Sequence, residues 1–386
     1  MPRSPRPLSR RSFLAAMGAA TAGLLLSSVR RPAHAQIAPP APPPDGSRPM
    51  EAEWDFIQPR EVRLDLWGRI TYAGYPLRAE PGLNKEVVEW LRVDTVLPLL
   101  EIVHAEGPNP NNDTWYRVAG GYLYTSGVQV IRPYRMPQIM TDLPHTIEGQ
   151  PGFWGEVIVP LTIPRFRPAG GQAFDEFFGQ QVGVTLYYGS VHRVIGIEAD
   201  EDGNIWYKVF DDKPKNRPFY VIARHMRYIP PQEFEPIHPG VADKRIVVTL
   251  EAQRIDCYEG DTLVFSTLTS SGAGGFPTPT GEHAVVYKQP SRHMYTDPED
   301  PVSGGSIDED FFNLPGVPFN TFLTTLGHAI HGTWWHGDYG RPRSHGCLNV
   351  TPEAAKWIYR WVEPIATYEQ AAAGSARQPG TPILVV

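Results

Sequence analysis

The sequence predicts a mainly β protein built from several small β-domains, and three observations support this prediction. The 386 residues include 41 prolines and 36 glycines, which favours turns over long helices. Short runs of β-branched and aromatic residues recur between turn signals from about residue 62 onward. A Trp-Tyr-basic-Val pattern occurs at Trp115 and again at Trp206, 91 residues later, which indicates two copies of a small β unit.

The first 35 residues have the pattern of an export signal. The sequence SRRSFL at 9–14 resembles a twin-arginine motif, an apolar run follows over 13–29, and AHA at 33–35 offers a cleavage site. We therefore expect an exported protein of the periplasm or cell wall. A permanent N-terminal anchor is the alternative, so we expect membrane attachment only through this segment, if it stays uncleaved.

Residues 36–60 are predicted to be a proline-rich linker, because such a composition cannot bury a core and favours extended chain. The signal segment carries six arginines and no acidic residue, so its removal takes the net charge from −7 to −13. Such an acidic chain argues against nucleic acid as a partner.

Two β-domains are predicted over residues 61–145 and 150–235. Their repeated Trp-Tyr-basic-Val pattern is similar to bacterial SH3-like modules, which often accompany cell-wall enzymes. A wall-binding role would follow from that analogy alone, and we expect most of these aromatic side chains to be core. The acidic sequence at 200–204 is predicted to be a tight hairpin turn rather than a calcium loop.

A third domain is predicted over residues 243–386, after a proline-rich boundary at 230–240. Its predicted strands cover residues 245–250, 262–269, 283–288 and 381–386. A long acidic loop at 290–321 is either a lid over a cleft or a solvated excursion. A helix over 351–362 is predicted from Thr351 as cap and Pro352 at the first helical position. Its apolar face consists of Trp357, Ile358, Trp361 and Val362.

The most informative stretch is HAIHGTWWHGDYGRPRSHGCLNV at 328–350, which places four histidines around Cys347. A thiolate nucleophile needs a nearby base and backbone N–H donors aimed at the developing oxyanion. His331 precedes Cys347 by sixteen residues, and the glycines and proline between them suit a loop that brings the two together. Cys257 is expected to be a small buried side chain, since a disulfide bond to Cys347 would remove the free thiol that acts as the nucleophile.

Two segments, IHGT at 330–333 and SHGCLN at 344–349, resemble the signature of the L,D-transpeptidase catalytic family. TPTG at 278–281 resembles the Thr-Pro-x-Gly turn of the same family. The resemblance covers about residues 243–386 and implies a β-sandwich catalytic domain with a short helix after the cysteine. It implies that Cys347 attacks a peptidoglycan tetrapeptide stem, releases D-alanine, and passes the acyl group to an amine of another stem as a 3-3 cross-link. It also implies inhibition by carbapenems.

The resemblance implies a role for each site residue. Cys347 is the expected nucleophile, with its pKa lowered toward neutrality, and His331 is the general base and acid. Gly346 is a candidate oxyanion donor, His345 is expected to shape the site, and Ser344 to orient a histidine. The candidate substrate-binding residues are Arg341, Arg343, His336, Trp335 and Asn349, although solvated charge for the two arginines and loop bracing for Asn349 stay open.

Several alternatives stay open. An L,D-carboxypeptidase or a protein-anchoring acyltransferase would use the same site. A zinc hydrolase is disfavoured, because the His-x2-His-x4-His spacing of 328, 331 and 336 matches no zinc pattern, and we expect neither metal nor cofactor. A non-catalytic wall-binding protein is disfavoured by the intact signature.

Overall fold

The computed structural model describes residues 64–177, 180–213, 217–296 and 312–386. The predicted signal segment 1–35 and linker 36–60 lie outside the described residues. Residues 64–294 and 314–386 belong to one compact body, and the described residues 295, 296, 312 and 313 fall outside it. Within the described ranges, no helix has the length and apolar character needed to span a membrane.

The first β unit, residues 64–131, consists of two sheets. Its strands are β1 (Leu66–Ile70), β2 (Tyr75–Arg78), β3 (Val87–Leu91), β4 (Val96–Leu99), β5 (Glu101–Asn109), β6 (Asn112–Val118), β7 (Gly121–Tyr124) and β8 (Val128–Ile131). One sheet has the order β4-β1-β8 and the other β3-β2-β7-β6-β5. Ile70, Leu99 and Leu123 are fully buried in a core that belongs to this unit alone.

The second β unit, residues 145–229, is built around one large sheet. Its strands are β9 (His145–Ile147), β10 (Gln150–Val157), β11 (Leu161–Thr162), β12 (Phe174–Phe177), β13 (Gln180–Gly183), β14 (Leu186–Tyr187), β15 (Val191–Ala199), β16 (Ile205–Phe210), β17 (Phe219–Ile222) and β18 (Met226–Ile229). The main sheet has the order β17-β16-β15-β10-β18, and β9 pairs with β10. Between β15 and β16, the Asp200 carboxylate accepts from the Asn204 N–H at 2.8 Å and closes the predicted tight turn.

The two β units share an order of elements. In each, the strand that carries the repeated tryptophan is followed by a second strand, a short 3-10 turn and a last strand. These are β6, β7, Thr125–Gly127 and β8 in the first unit, and β16, β17, Ala223–His225 and β18 in the second. Trp115 and Trp206 are both buried, as expected for core residues. The assignment to SH3-like modules stays a prediction.

The C-terminal domain is a β-sandwich with a single α-helix among its described residues. Its elements are β19 (Lys244–Thr249), β20 (Arg254–Glu259), β21 (Thr262–Leu268), β22 (Gly281–Ala284), β23 (Tyr287–Tyr295), β24 (Asn313–Phe322), β25 (Ala329–Gly332), β26 (Leu348–Val350), α1 (Pro352–Trp361), β27 (Ala373–Gly374) and β28 (Pro382–Val385). The two sheets have the orders β21-β20-β19-β28-β22 and β26-β25-β24-β23-β27. The predicted mainly β fold with one helix after Cys347 is confirmed.

Helix α1 forms for the predicted local reasons. The Thr351 hydroxyl accepts from the Ala354 N–H at 3.1 Å, and Pro352 occupies the first turn, where its missing N–H leaves no bond unmade. The apolar face is buried, and Trp357 stacks on Phe265 with ring centroids 4.2 Å apart. The helix is thereby fixed directly after the strand that follows Cys347.

Two predicted elements differ from the structure. The strand predicted at 283–288 is two pieces, because β22 ends at Ala284 and β23 begins at Tyr287, with each piece in a different sheet. The predicted loop at 290–321 is shorter, because its two flanks continue as β23 and β24. Residues 297–311, which carry all six of its acidic side chains, lie outside the described residues.

The second β unit and the C-terminal domain share one continuous hydrophobic core. Trp154 of β10 donates its indole N–H to the carbonyl of Tyr368 at 3.0 Å, and the Tyr368 hydroxyl donates to the carbonyl of Ile229 at 2.9 Å. Cys257 is fully buried in the same core and is a free thiol, as expected for a small apolar side chain.

Candidate active site

Cys347 and His331 are brought together by two neighbouring parallel strands. β25 and β26 pair with Ile330 opposite Leu348 and His331 opposite Asn349. Cys347 directly precedes β26, and its sulfur lies 3.7 Å from the carbonyl oxygen of Gly327, just before β25 begins. The sulfur is therefore near the first residue of the strand that carries His331. His331 is two residues farther along β25 than Ala329, which corresponds to a rise of roughly 6.6 Å along the strand.

The thiol of Cys347 is partly exposed and is uncharged at neutral pH. Burial raises its pKa to about 11, and a hydrogen bond from the backbone of Ala329 opposes this only in part. The expectation of a pKa lowered toward neutrality is therefore wrong for this structure. The physical reason is that burial disfavours the charged thiolate, and that His331 on the paired strand is neutral and so adds no positive charge.

His331 is buried, and both of its ring nitrogens have partners. Nδ1 lies 3.1 Å from the carbonyl oxygen of Gly332, and Nε2 lies 3.1 Å from the side-chain amide nitrogen of Asn349. Burial lowers the pKa of His331 to about 4, the Gly332 carbonyl raises it, and His336 lowers it further. The imidazole is therefore neutral at pH 7, the protonation state required of a base.

His336 lies behind Asn349 rather than beside the sulfur. Its Nε2 is 3.0 Å from the Asn349 side-chain oxygen, and the Asp338 backbone N–H donates to its Nδ1 at 3.1 Å. Burial lowers the pKa of His336 to about 4. Trp335 covers the other side of His331, with ring centroids 5.8 Å apart. Asn349 thus bridges the two histidines, a contact that the sequence did not indicate.

The turn that carries Cys347 is fixed by Ser344. The Ser344 hydroxyl donates to the Cys347 carbonyl and accepts from the Gly346 N–H at 3.1 Å. Ser344 therefore does not orient a histidine as expected, because both of its hydroxyl contacts are to the backbone of its own turn. The Gly346 N–H is likewise engaged within the turn, so in this conformation it is not directed at an oxyanion.

Gly346 is needed for its backbone conformation. Its φ of +102° is in the region that favours glycine, and an added Cβ would lie 2.7 Å from Cδ2 of His328. His345 is on the exposed side of the turn and lies against Phe276, with ring centroids 4.5 Å apart.

The TPTG segment at 278–281 contacts the same turn through Thr278. Thr278 accepts from the Gly272 N–H at 2.9 Å, and its hydroxyl donates to the Gly346 carbonyl at 3.0 Å. Two segments about 70 residues apart in sequence therefore meet at the cysteine turn.

The two candidate substrate arginines share one buried carboxylate. Arg341 donates to Asp338 at 2.6 Å, and Nε of Arg343 lies 3.5 Å from the same oxygen. Arg343 also donates to the Tyr72 hydroxyl of the first β unit at 2.6 Å. Arg341 is thus paired more closely with Asp338 than Arg343 is, and the two side chains are about equally exposed.

The first β unit forms hydrogen bonds with the loop that joins His331 to Cys347. Arg69 donates to the carbonyl of Trp334 at 2.5 Å, and the Gly337 N–H donates to the carbonyl of Ser126 at 3.0 Å. The Asn109 side chain donates to the carbonyl of Tyr339 at 2.9 Å. Sequence reasoning missed these residues because nothing in the local sequence of the first unit signals contact with a loop more than 200 residues away.

No group of three or more histidine, cysteine or carboxylate side chains suited to a metal ion occurs in the described parts of the chain. The ring nitrogens of His331 and His336 are all engaged by backbone or amide groups. The neutral imidazole of His331 and the thiol of Cys347 lie on neighbouring paired strands.

Comparison with known proteins gives the following likenesses. Residues 243–385 match the model of the L,D-transpeptidase catalytic domain (YkuD). A comparison with curated proteins finds no match. Among solved structures, the Ldtfm–avibactam carbamoyl enzyme is 25% identical over 39% of this chain and 51% of that chain, with a TM-score of 0.28.

Two further solved structures are similar. A mutant L,D-transpeptidase from Enterococcus faecium is 21% identical over 44% of this chain and 56% of its own, with a TM-score of 0.28. An L,D-transpeptidase from Mycobacterium smegmatis is 16% identical over 66% and 99%, with a TM-score of 0.29. The chain spans little more than half the length of the first two structures. The region 243–385, which contains the strands, helix and cysteine turn described above, is therefore similar to the L,D-transpeptidase catalytic-domain family.

Proposed function

We propose that this protein is an exported peptidoglycan L,D-transpeptidase that uses Cys347 as its nucleophile. The observation that carries the proposal is the position of the partly exposed sulfur beside the first residue of β25, the strand that presents neutral His331. The family match at 243–385 supports the reaction class. Export rests on the sequence of residues 1–35.

The first half-reaction forms an acyl-enzyme. The Cys347 sulfur attacks the carbonyl that follows the L-centre of a tetrapeptide stem while His331 accepts the thiol proton. Collapse of the tetrahedral intermediate breaks the C–N bond, and His331 returns the proton to the departing D-alanine amine. Because burial raises the pKa of the thiol and lowers that of His331, the proton is on sulfur and the imidazole is neutral before the reaction begins.

The second half-reaction transfers the acyl group. An amine of a neighbouring stem attacks the thioester, His331 accepts a proton from that amine, and the sulfur leaves and is reprotonated. The product is a 3-3 cross-link and the regenerated thiol. Arg343 is the better of the two arginines for a substrate carboxylate, because Arg341 is paired more closely with Asp338.

β-Lactams would acylate the free Cys347 thiol in place of the stem peptide. One similar structure is an avibactam carbamoyl enzyme, and another holds a faropenem-derived adduct. We propose that carbapenems acylate Cys347 by the same attack on a carbonyl. Water as acceptor would make the protein an L,D-carboxypeptidase, and an amine on a protein would make it an anchoring acyltransferase.

Product analysis tests the proposal. The full chain is incubated with disaccharide-tetrapeptide, and the products are separated and identified by mass spectrometry. We expect 3-3 cross-linked dimers and free D-alanine from the wild type, and neither product from Cys347→Ala. Tripeptide monomers without dimers would support the carboxypeptidase instead. Loss of activity with EDTA but not with iodoacetamide would overturn thiol catalysis in favour of a metal.

A further inference from the structure

The main sheet of the second β unit has an outer face that is separate from its core. Along β16, Tyr207 and Val209 are fully buried. Lys208 and Phe210 alternate with them, and Phe210 is 44% exposed. Because successive side chains of a strand point to opposite faces, Lys208 and Phe210 lie on the outer face. Tyr220 of β17 pairs with Lys208 and therefore lies on the same face.

A hairpin over residues 163–174 extends this outer face beyond β17. Arg165 and Tyr220 exchange two backbone hydrogen bonds, at 2.8 and 2.7 Å. Arg165 also pairs with Gln172 of the returning segment of the hairpin. The hairpin is thus attached to the edge of the main sheet by its backbone, and Arg165 shares a face with Tyr220.

Four large apolar side chains on and beside the hairpin are exposed to solvent. The hairpin register places Ile163 opposite Phe174, and these residues are 42% and 56% exposed. Phe166, at the tip, is 56% exposed. We call these three residues and Phe210 the outer-face patch. Phenylalanine and isoleucine are usually buried, so a group of them exposed at one edge of a sheet indicates an interaction site.

Cationic side chains lie among the residues of the outer-face patch. Lys208, Tyr220 and Arg165 form one row across β16, β17 and the hairpin, because each pairs with the next. The Lys208 ammonium lies 5.8 Å from the ring centroid of Tyr220. Arg167 directly follows Phe166 at the tip, and its guanidinium lies 5.4 Å from the centroid of that ring.

The charge around the outer-face patch is positive on a chain that is acidic as a whole. Residues 157–174 include two arginines and no acidic residue, whereas the net charge of the chain is −7. Within the described ranges, the three cations named above form no ion pair with a carboxylate. The Glu198 carboxylate borders the patch and accepts from the Tyr220 hydroxyl at 2.6 Å. The patch is therefore complementary in charge to an anionic partner.

We propose that the outer-face patch binds the anionic surface of a lipid bilayer. Aromatic and aliphatic side chains enter the boundary between headgroups and acyl chains, while arginine and lysine attract anionic headgroups. Exposed phenylalanines and cations at one edge of the sheet meet both requirements. We expected membrane attachment only through residues 1–35, and this contact is separate from that segment and from the chemistry proposed at Cys347.

The size of the outer-face patch favours a bilayer over a protein partner. A fully exposed aromatic side chain offers about 200 Å², so the exposed fractions correspond to about 400 Å² of apolar surface. Each partner of a stable protein complex buries roughly 800 Å². A second copy of this chain or another protein would therefore find about half of the area it needs, whereas a bilayer takes up separate side chains without a matching surface.

Hydrogen–deuterium exchange of the full chain locates the contact. The protein is mixed with vesicles of phosphatidylglycerol and phosphatidylcholine in equal amounts, with vesicles of phosphatidylcholine alone, or with soluble polyphosphate. We expect slower exchange in peptides from residues 163–174 with the anionic vesicles and little change with the other two. Unchanged exchange with the anionic vesicles would overturn the proposal. Equal slowing by polyphosphate would indicate a soluble polyanion, and slowing without lipid at higher protein concentration would indicate a second copy; either result would also overturn it.

Vesicle sedimentation tests the apolar component with variants at exposed residues. The double variant Phe166→Ser, Phe174→Ser should bind the anionic vesicles at least about tenfold more weakly than the wild type, because little apolar side chain is left to enter the bilayer. Trp90→Ser, at a tryptophan that is 64% exposed in the first β unit, is the matched control and should bind like the wild type. All of these proteins carry the apolar run 13–29, so a difference between them comes from the outer-face patch. Equal binding by the double variant and the wild type would refute the proposal.

Charge variants test the electrostatic component in the same assay. Arg165→Gln and Arg167→Gln should each weaken binding about fivefold at low salt. Binding of the wild type should fall as salt rises, because the added ions screen the attraction. Arg117→Gln, at an exposed arginine paired with Glu101, is the control and should bind like the wild type. Binding that responds neither to the two arginines nor to salt would contradict an anionic bilayer as the partner. Carbapenem acylation of Cys347 should be unchanged in every patch variant, so failure of this proposal is distinguishable from failure of the thiol chemistry.

Discussion

Arg69 is the most informative residue to replace outside the C-terminal domain. It is 2% exposed in β1 and donates to Gln129 at 2.8 Å, to Asp94 at 2.6 Å and to the carbonyl of Trp334 at 2.5 Å. Its guanidinium also lies 4.3 Å from the ring centroid of Tyr187. Arg69→Met keeps much of the apolar volume and removes every one of these polar contacts.

The expected loss of stability follows from those contacts. Hydrogen bonds to a charged group contribute about 1.5–3 kcal/mol each, but contacts that share one side chain are not additive. The bond to Asp94 counts for less, because that carboxylate is 28% exposed and water screens it. We therefore expect the free energy of unfolding to fall by about 3–5 kcal/mol, mainly from the lost buried bonds to Gln129 and to the Trp334 carbonyl.

The functional effect follows from the bond to Trp334, because that residue lies in the loop between His331 and Cys347. A displacement of about 1 Å in a catalytic group can cost about 10²-fold in rate. We expect carbapenem acylation of Cys347 to slow by roughly 10–100-fold in the folded variant. Urea unfolding measures the stability, and intact-mass spectrometry against time measures the acylation.

Arg117→Met is the matched control, because Arg117 is in the same β unit but forms an exposed pair with Glu101. We expect a stability change of at most about 1 kcal/mol and no change in acylation. If Arg69→Met costs no more than Arg117→Met and leaves acylation unchanged, the first β unit does not support the catalytic loop.

Three further predictions concern the cysteine turn and the buried core. Gly346→Ala should give a folded protein whose acylation falls at least about tenfold, because φ is +102° and the new Cβ would meet the His328 ring; a wild-type rate would contradict this. The rate of Cys347 alkylation by iodoacetamide should keep rising with pH up to pH 10, because its pKa is raised to about 11; a plateau below pH 8 would contradict this. Burial lowers the pKa of Lys288 to about 7 in the folded chain, so the unfolded chain binds more protons above pH 7 and stability from this group rises with pH. Urea unfolding from pH 7 to 9.5 should show the wild type gaining up to about 1.4 kcal/mol per pH unit relative to Lys288→Met, and parallel curves would contradict this.

The elements that the sequence predicted correctly depend on local chemistry. The cap at Thr351, the proline at the first turn and the 3.6-residue apolar spacing define α1 without reference to the rest of the chain. The sequence predicted only that a glycine-rich loop brings His331 and Cys347 together. It did not predict that β25 and β26 pair as parallel strands, because the positions of glycines do not specify strand register.

The errors concern properties that burial and distant contacts determine. The raised pKa of the Cys347 thiol depends on how completely the fold surrounds it, and no local pattern encodes that. Ser344 contacts the backbone of its own turn because the turn brings the Gly346 N–H and the Cys347 carbonyl to its hydroxyl. The break between Ala284 and Tyr287 was missed because a continuous apolar run does not show where a chain changes sheet.

The most direct test of the proposed chemistry is to locate the acyl group. The full chain is incubated with a carbapenem, digested, and mapped by peptide mass spectrometry, with the buried thiol of Cys257 as an internal comparison. We expect one adduct, on the peptide that contains Cys347, and none in Cys347→Ala. An adduct on Cys257 or on any other residue, or one that persists in Cys347→Ala, would contradict a nucleophilic Cys347.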